Sequence, residues 1–259
     1  MKELKIATWN ISCGVPAEWS ISDGVKKEKD YKQFGLIDEV IQKINDENID
    51  IIGIQESVAF KNGEKSFAQV ISEKTDLKYY TEFIVSDCHL LDNAYIEEAI
   101  LSKYPIIKSE NIMFENAKFT KVSNNGNMYK LFDDGYIWAK IQIDSNVINF
   151  ITGHAPAFQV FDKCPEDYVY IYQKLEENIS NIDKGQKTFI VGDYNSEKLL
   201  EMLPILDERF INHVSGTTFY GGTSIDYILA EKNMECISTK KIENLSDHLL
   251  CIASFKITE

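Results

Sequence analysis

The chain has 259 residues, of which 44% are hydrophobic, and a formal net charge of -14. These values suit a folded globular protein and exclude a disordered one, and the acidic excess disfavours non-specific binding to polyanions, which depends on Lys and Arg. The five cysteines are scattered without a C-x-x-C pair, so neither a disulfide framework nor a standard zinc motif is expected. No signal segment or membrane-length apolar run is visible, which predicts a cytoplasmic protein without a membrane span. No obligate protein partner is evident.

The apolar periodicity predicts a series of strands with few helices. In chain order, we expect a strand at 4–9, a loop at 11–29, a helix from Phe34 to about Asn48, and a strand at 49–54 that stops at Gln55-Glu56. A helix at 66–75 follows, then strands at 78–85, 97–102 and 106–113 and a polar surface excursion at 115–130. The rest of the chain is expected to form strands at 136–143 and 146–152, a helix from Pro165 to Ile182, and strands at 188–192, 224–230, 235–242 and 249–257. Strands outnumber helices and many are consecutive, unlike a regular parallel β-α alternation. Two packed sheets with helices on the outside account for this order.

Polar residues stand where the apolar runs begin or end. They are Asn10, Glu56, His154, Asp193, Asn195, Asp226, Asp247 and His248. Each one alone is typical of a turn. If the carboxylates converge to within ~5 Å, each ionised pair repels by ~3 kcal/mol at an effective dielectric of 20, which requires a cation or a raised pKa. Oxygen ligands without cysteine favour Mg²⁺ or Mn²⁺ over zinc, and the histidines then suit acid–base work.

Seven short motifs occur in an order that resembles a known family. They are Thr8-Trp9-Asn10, Ile54-Gln55-Glu56, residues 99–106, 153–156, 192–196 and 224–229, and Ser246-Asp247-His248. Together they resemble the endonuclease/exonuclease/phosphatase superfamily, which has the deoxyribonuclease-I-like fold, over residues 4–256. The resemblance implies an α/β protein: a four-layer α/β/β/α sandwich of two mostly antiparallel sheets flanked by helices. It also implies a single catalytic domain over 1–259 that hydrolyses phosphoric esters with a metal ion.

The resemblance further implies roles for the metal and water ligands. Glu56 matches the main Mg²⁺ ligand, with Asn10 and Asp247 nearby as direct or water-mediated ligands; Mn²⁺ is an alternative ion. Asp193 and Asn195 match the pair that positions the attacking water and the phosphate. Gly192, just before them, is expected to let the backbone turn so that both Asp193 and Asn195 reach the cleft.

The histidines are assigned by the same resemblance. Asp226 is expected to orient His248, which contacts a phosphate oxygen or the nucleophile. His154 matches a histidine near the leaving group. Glu97 or Glu98 orients His154 in one interpretation, while both are simple surface acids in the other.

The resemblance implies a phosphate-ester substrate, either a small molecule or a nucleic acid, and the sequence leaves mono- and diesters open. Ser224 stands where many relatives carry a basic residue, which, together with the acidic charge, weakens the case for a long nucleic acid. A DNA or RNA nuclease remains an alternative within the class, and a non-catalytic binding module is an alternative outside it. The segment 216–223 either shapes the pocket or forms a plain hairpin loop. Trp19 and Phe158 either wall the substrate site or pack in the core.

Overall fold

The computed structural model describes residues 2–17, 36–122, 126 and 128–257. Its strands are β1 (Lys2–Asn10), β2 (Ile51–Phe60), β3 (Tyr79–Asp87), β4 (Ala94–Ser102), β5 (Ile106–Met113), β6 (Thr120–Val122), β7 (Met128–Lys130), β8 (Gly135–Ile143), β9 (Asn146–His154), β10 (Thr188–Asp193), β11 (Phe210–Asn212), β12 (Asp226–Glu231), β13 (Cys236–Ile242) and β14 (Leu250–Ile257). Its helices are α1 (Leu36–Glu47), α2 (Phe67–Lys74), α3 (Gln173–Ser180), α4 (Leu199–Met202) and α5 (Pro204–Arg209), with 3₁₀ segments at Ser12–Gly14, Phe158–Phe161 and Pro165–Tyr172. Trp19 and the start of the first predicted helix at Phe34 lie outside the described residues.

The structure contains two six-stranded sheets with similar strand arrangements. The first has the order β13-β14-β1-β2-β4-β3, and the second has the order β11-β12-β10-β9-β8-β5. Each sheet contains one parallel pair at its centre, β1 with β2 and β10 with β9, while its other neighbours are antiparallel. The carboxyl ends of two adjacent parallel strands meet at one edge, where the topology leaves room for a ligand. Asn10 ends β1, and His154 and Asp193 end β9 and β10 as register partners.

The sheets pack face to face with helices outside, which confirms the predicted four-layer sandwich. Ile6 and Ile100 of the first sheet share one buried apolar cluster with Phe150 and Val191 of the second. Helices α1 and α2 cover the outer face of the first sheet, and α3, α4, α5 and the later 3₁₀ segments cover that of the second. Fully burying one aliphatic side chain contributes roughly 1.5–3 kcal/mol, so these three apolar layers hold the sheets rigidly around the site. No described helix has the length and apolar character needed to cross a membrane.

Two predicted boundaries were wrong. The second strand does not stop at Gln55-Glu56: β2 continues to Phe60 after a bulge between Ile54 and Ser57. The segment predicted as one helix from Pro165 begins as a 3₁₀ helix and becomes α-helical only at Gln173. Within the 3₁₀ part, the backbone departs from helical geometry at Tyr168, where φ is -126° and ψ is 30°. The polar excursion at 115–130 contains the small hairpin β6–β7, and Phe158 is packed in the outer core.

Candidate active site

All eight predicted site residues come together at one edge of the two sheets. Six of them line a cavity of about 600 Å³: Glu56, His154, Asp193, Asn195, Asp247 and His248. Asn10 and Asp226 lie directly behind that wall, at 1% and 0% exposure, and hydrogen-bond to it. The parallel pairs of both sheets therefore contribute to a single site.

The bulge in β2 determines where Glu56 points. Glu56 has a φ of 51°, in the left-handed region, which costs of order 1–3 kcal/mol for a residue other than glycine. A bulge re-aims a strand side chain in this way, and bulges are frequent beside active sites. Burial tends to raise the pKa of Glu56, but the charges of His154 and His89 and a hydrogen bond from Asn10 lower it overall. Glu56 is therefore ionised and faces two histidines.

Asn10 connects the two sheets through its amide group. Its Nδ2 donates to Glu56 Oε1 at 3.1 Å and to Asp193 Oδ2 at 3.2 Å. Its Oδ1 accepts from the Ser12 backbone N–H at 3.0 Å, which fixes the orientation of the amide. In this arrangement the NH₂ group, and not the oxygen, faces the two carboxylates. Asn10 thus holds the candidate metal ligand and the end of β10 at a fixed separation.

Asp193 contacts four other groups of the site: Asn10, Asn195, His154 and His248. Its Oδ1 accepts from the Asn195 backbone N–H at 2.9 Å. Its Oδ2 lies 3.5 Å from His248 Nε2 and 3.6 Å from His154 Nε2. Burial raises the pKa of Asp193 to about 6, although the charge of His248 works in the opposite direction. Near neutral pH this carboxylate can therefore accept a proton at little cost.

Gly192 allows the end of β10 to approach β9. Its φ is +142°, and a Cβ placed there meets the Gly153 carbonyl oxygen at 2.1 Å. We expect Gly192→Ala to lower the free energy of unfolding by at least about 1–3 kcal/mol, because both the backbone conformation and the overlap oppose a side chain. Urea unfolding tests this. The matched control is Gly63→Ala, where φ is +81° but nothing lies within 4 Å of the added atom. If both variants lose the same free energy of unfolding, the close approach of Gly192 to Gly153 is not what requires a glycine.

His248 is held by Asp226 on one side and by an aromatic ring on the other. Its Nδ1 lies 2.9 Å from Asp226 Oδ2, which leaves Nε2 facing the cavity. The ring of Phe219 is 4.8 Å away, and Thr218 Oγ1 accepts from the Asp226 backbone N–H. The segment 216–223 therefore shapes the pocket. Burial lowers the pKa of His248, but the charges of Asp226 and Asp193 outweigh it and raise the pKa to about 10.

His154 lies opposite, at the end of β9. Its Nε2 is 3.9 Å from Glu56 Oε1, and its Nδ1 is 3.9 Å from Glu98 Oε1. Of the two glutamates considered from the sequence, Glu98 faces His154, whereas Glu97 accepts a hydrogen bond from Ser57. Adjacent strand residues point to opposite faces, which explains why only one of them reaches the histidine. Burial raises the pKa of Glu98 well above its usual value.

Sequence reasoning missed several residues of this wall. Asp134 lines the cavity, and burial raises its pKa to about 7. Gln159 donates to Asn195 Oδ1 at 2.7 Å, while Asn195 Nδ2 donates to the Ala155 carbonyl at 2.8 Å. His89 also lines the cavity. Asp134 follows Asp133 and precedes a glycine, so its sequence signature is that of an ordinary turn, and nothing in the local sequence indicates the others.

A model of the endonuclease/exonuclease/phosphatase family matches residues 7–248. The chain belongs to this family. Members of the family are phosphoric ester hydrolases and generally depend on a divalent metal. A comparison with functionally curated proteins found no match.

Solved structures of this family share the fold. An endonuclease/exonuclease/phosphatase from Beutenbergia cavernae has a TM-score of 0.70 at 13% identity, over 99% of this chain and 72% of that one. The human nocturnin catalytic domain, solved with bound sulfate, has a TM-score of 0.69 at 15% identity, over 99% and 94%. A mannosyl-6-phosphatase from Bacteroides thetaiotaomicron has a TM-score of 0.63 at 13% identity, over 98% and 100%. At such identities the likeness shows the fold and not the substrate.

The buried charges of this family member predict that the metal-free protein loses stability as the pH rises. On folding, the pKa of His248 rises from 6.5 to about 10 and that of His154 from 6.5 to about 9, in each case because nearby carboxylates outweigh burial. A raised pKa contributes stability that is complete below the unfolded value and is lost as the pH passes the folded value. Burial of Glu97, which raises its pKa from 4.5 to about 8, acts in the same direction.

Urea unfolding in the presence of a chelator measures this effect. We expect the free energy of unfolding to fall between pH 6.5 and about 10, with a shallower fall in His248→Gln. A free energy that stays constant or rises across this window contradicts the assigned charges.

Proposed function

We propose that the protein is a Mg²⁺-dependent phosphoesterase that hydrolyses a small phosphate ester by in-line attack of water. The main support is the position of Asp193, whose one carboxylate oxygen lies within 3.6 Å of both His154 Nε2 and His248 Nε2 and accepts from Asn10. A proton-accepting group between two cationic imidazoles suits the activation of water beside an anion. We also propose that residues 1–259 form one catalytic domain, since both sheets contribute to this site.

The residues that would hold Mg²⁺ are Glu56 and Asp247, with Asn10 supporting Glu56. Both carboxylates line the cavity. The donor set fits a hard cation, because carboxylate oxygens are what Mg²⁺ prefers. Burial raises the pKa of Asp247, and the nearby charge of Glu56 adds to that rise, so a cation between the two groups relieves their repulsion. When bound, Mg²⁺ supplies neutralisation of phosphate charge and orientation of a phosphate oxygen.

The remaining catalytic roles are assigned to side chains of the protein. Asp193 takes the proton of the attacking water through the carboxylate oxygen that is not engaged by Asn195. His248, kept protonated by Asp226, donates from Nε2 to a phosphate oxygen. His154, with Glu98 behind its Nδ1, stabilises charge on the leaving oxygen. Asn195 is positioned by Ala155 and Gln159 and retains one amide hydrogen for the phosphate.

The cavity wall supports a small substrate with an apolar part. Away from the acidic groups, the wall is formed by Leu90, Tyr129, Leu131, Phe132, Val160 and Phe161. Among the described residues of the lining, Lys130 is the only Lys or Arg. A long nucleic acid needs several such contacts along its backbone, whereas a cavity of about 600 Å³ suits one small ligand.

Hydrolysis of a substrate panel tests the proposal. The panel contains aryl phosphate mono- and diesters, nucleotides, sugar phosphates, short-chain phospholipids and plasmid DNA, each with Mg²⁺, Mn²⁺ or chelator. We expect metal-dependent turnover of a small ester and none of plasmid DNA. Cleavage of DNA alone supports the nuclease alternative, while metal binding without turnover of any ester supports a non-catalytic binding module.

Loss of a residue that only supports a metal ligand typically weakens metal binding by roughly 10–100-fold. Glu56→Gln is expected to raise the Mg²⁺ concentration required for half-maximal activity by more than that. The reason is the loss of the anionic oxygen that we assign to the cation. A Mg²⁺ titration of the rate at saturating substrate measures it. The matched control is Glu64→Gln, an exposed glutamate in the turn after β2. An unchanged Mg²⁺ requirement in Glu56→Gln contradicts the assignment.

A further inference from the structure

Glu56 has two different environments on its two carboxylate oxygens. Oε1 faces Asn10 and His154, on the side of the candidate Mg²⁺ site. Oε2 faces the opposite way and lies 3.6 Å from Cys13 Sγ. The first side offers oxygen and nitrogen donors to a hard cation, and the second side offers sulfur. The proposed hydrolytic function uses only the first side.

Sulfur and imidazole donors lie near this carboxylate. Cys13 Sγ, a carboxylate oxygen of Glu56 and a ring nitrogen of His89 all lie within 4.8 Å of one another. Cys88 lies in the same apolar cluster as Cys13, where both cysteines pack with Val58, Val85 and Ile96. The four donor groups belong to three separate parts of the chain, the turn after β1, the bulge of β2 and the turn after β3, so the fold alone brings them together.

We propose that Cys13, Glu56, Cys88 and His89 form a second metal site, selective for a thiophilic divalent cation such as Zn²⁺, which shares Glu56 with the candidate Mg²⁺ site. Two thiolates, one imidazole and one carboxylate supply four donors, each of a type that binds Zn²⁺ in tetrahedral sites. Such a set binds Zn²⁺ much better than Mg²⁺, since thiolate sulfur is a soft ligand. Binding forms two S–Zn bonds and releases the thiol protons to solvent without any change of oxidation state.

The geometry requires only a small adjustment. Tetrahedral Zn²⁺ brings sulfur and nitrogen ligands to roughly 3.3–3.8 Å from each other. The donor atoms of Cys13, Glu56 and His89, which lie within 4.8 Å of one another, must therefore approach by about 1 Å. His89 is exposed and Cys88 is half-buried, which leaves their side chains free to make that change. The sequence does not predict this site because the four donors lack the short repeated spacing of a standard zinc motif.

Occupation of this site has a consequence for the other one. A cation that takes Oε2 withdraws negative charge from the carboxylate and restrains its rotation. Zn²⁺ is therefore expected to weaken Mg²⁺ binding at the shared glutamate. This consequence rests on the proposed function, whereas the binding of Zn²⁺ itself does not.

Co²⁺ spectroscopy tests the site directly on the reduced protein, after all five thiols have been counted with a chromogenic reagent. We expect a thiolate-to-cobalt charge-transfer band and intense visible bands of tetrahedral Co²⁺, both abolished by added Zn²⁺. Zn²⁺ is also expected to protect the half-buried Cys88, but not the exposed Cys164, from alkylation by iodoacetamide, as read by peptide mass spectrometry.

Cys88→Ser and His89→Ala identify the ligands without disturbing a fully buried position. Loss of a residue that only supports a metal ligand typically weakens metal binding by roughly 10–100-fold, and each of these two variants is expected to weaken Zn²⁺ binding by more than that. The matched controls are Cys164→Ser, at an exposed cysteine, and His213→Ala, at a half-buried histidine lining a different cavity, between β11 and β13. The controls are expected to retain both bands. Absence of the charge-transfer band in the wild-type protein, or its loss in Cys164→Ser, overturns the proposal.

The two proposals fail in different ways. If the cobalt bands appear but no phosphate ester is hydrolysed, the second metal site stands and the proposed function fails. If Mg²⁺-dependent turnover is measured but Zn²⁺ neither binds nor protects the thiols, the proposed function stands and the second site fails. With both present, Zn²⁺ is expected to lower Mg²⁺-supported turnover in the wild type and much less in Cys88→Ser.

Discussion

Replacement of Asp193 by Asn is expected to lower kcat by about 10²–10⁴, the usual contribution of a positioned acid–base group. The side chain keeps its shape but loses the ability to accept a proton. Its position also matters, because Oδ2 sits between His154 Nε2 at 3.6 Å and His248 Nε2 at 3.5 Å. Neutralising it leaves two imidazolium groups facing each other without the anion that separates them.

Single-turnover kinetics on the best substrate of the panel measure the loss. Because burial raises the pKa of Asp193 to about 6, the wild-type rate is expected to fall below that pH, and Asp193→Asn is expected to lack this acid limb. Asp76→Asn, at an exposed aspartate beyond α2, is the matched control and is expected to leave both the rate and the pH profile unchanged. A variant at Asp193 that keeps wild-type kcat shows that another group activates the water.

The ends of the parallel strands were the most predictable part of the site. Apolar runs in β1, β9 and β10 are buried on both faces, so their limits are visible as the points where Asn10, His154 and Asp193 appear. β1 lies at the centre of one sheet and β9 and β10 at the centre of the other, and the packing of the two sheets brings their carboxyl ends together. Strand periodicity therefore predicted two packed sheets with helices outside and the polar residues at the strand ends, while the four-layer order came from the family resemblance.

The positions that depend on backbone detail could not be predicted in this way. Glu56 reaches the site through a bulge and a φ of 51°, whereas its sequence suggested only a strand end. The choice between Glu97 and Glu98 depends on which face of β4 meets His154, and that follows from the register with β2 and β3. Cys13 lies in a turn next to a strand far from it in sequence. Register and turn geometry are set by long-range packing, so local sequence does not determine them.

Asp226 and His248 are expected to act as one unit. Each single replacement, Asp226→Asn or His248→Gln, is expected to lower kcat by roughly 10²–10³, as the loss of one preorganised group does. The double variant is expected to lose no more than the worse single variant, because Asp226 acts only through the 2.9 Å contact with His248 Nδ1. Rates from all four proteins complete the cycle, and multiplicative losses contradict a shared role.

The free energy of unfolding of the same four proteins tests this coupling independently. Asp226 has 0% exposure, so Asp226→Asn removes the charge paired with Nδ1 of a buried, protonated His248 and leaves Asp193 at 3.5 Å from its Nε2. Breaking a buried pair from one side typically costs about 3–5 kcal/mol, most of it due to the charge that remains. Adding His248→Gln removes that charge, so the double variant is expected to unfold at a higher urea concentration than Asp226→Asn alone. A double variant less stable than either single one shows instead that the two residues stabilise the fold separately, and the raised pKa of His248 then needs another cause.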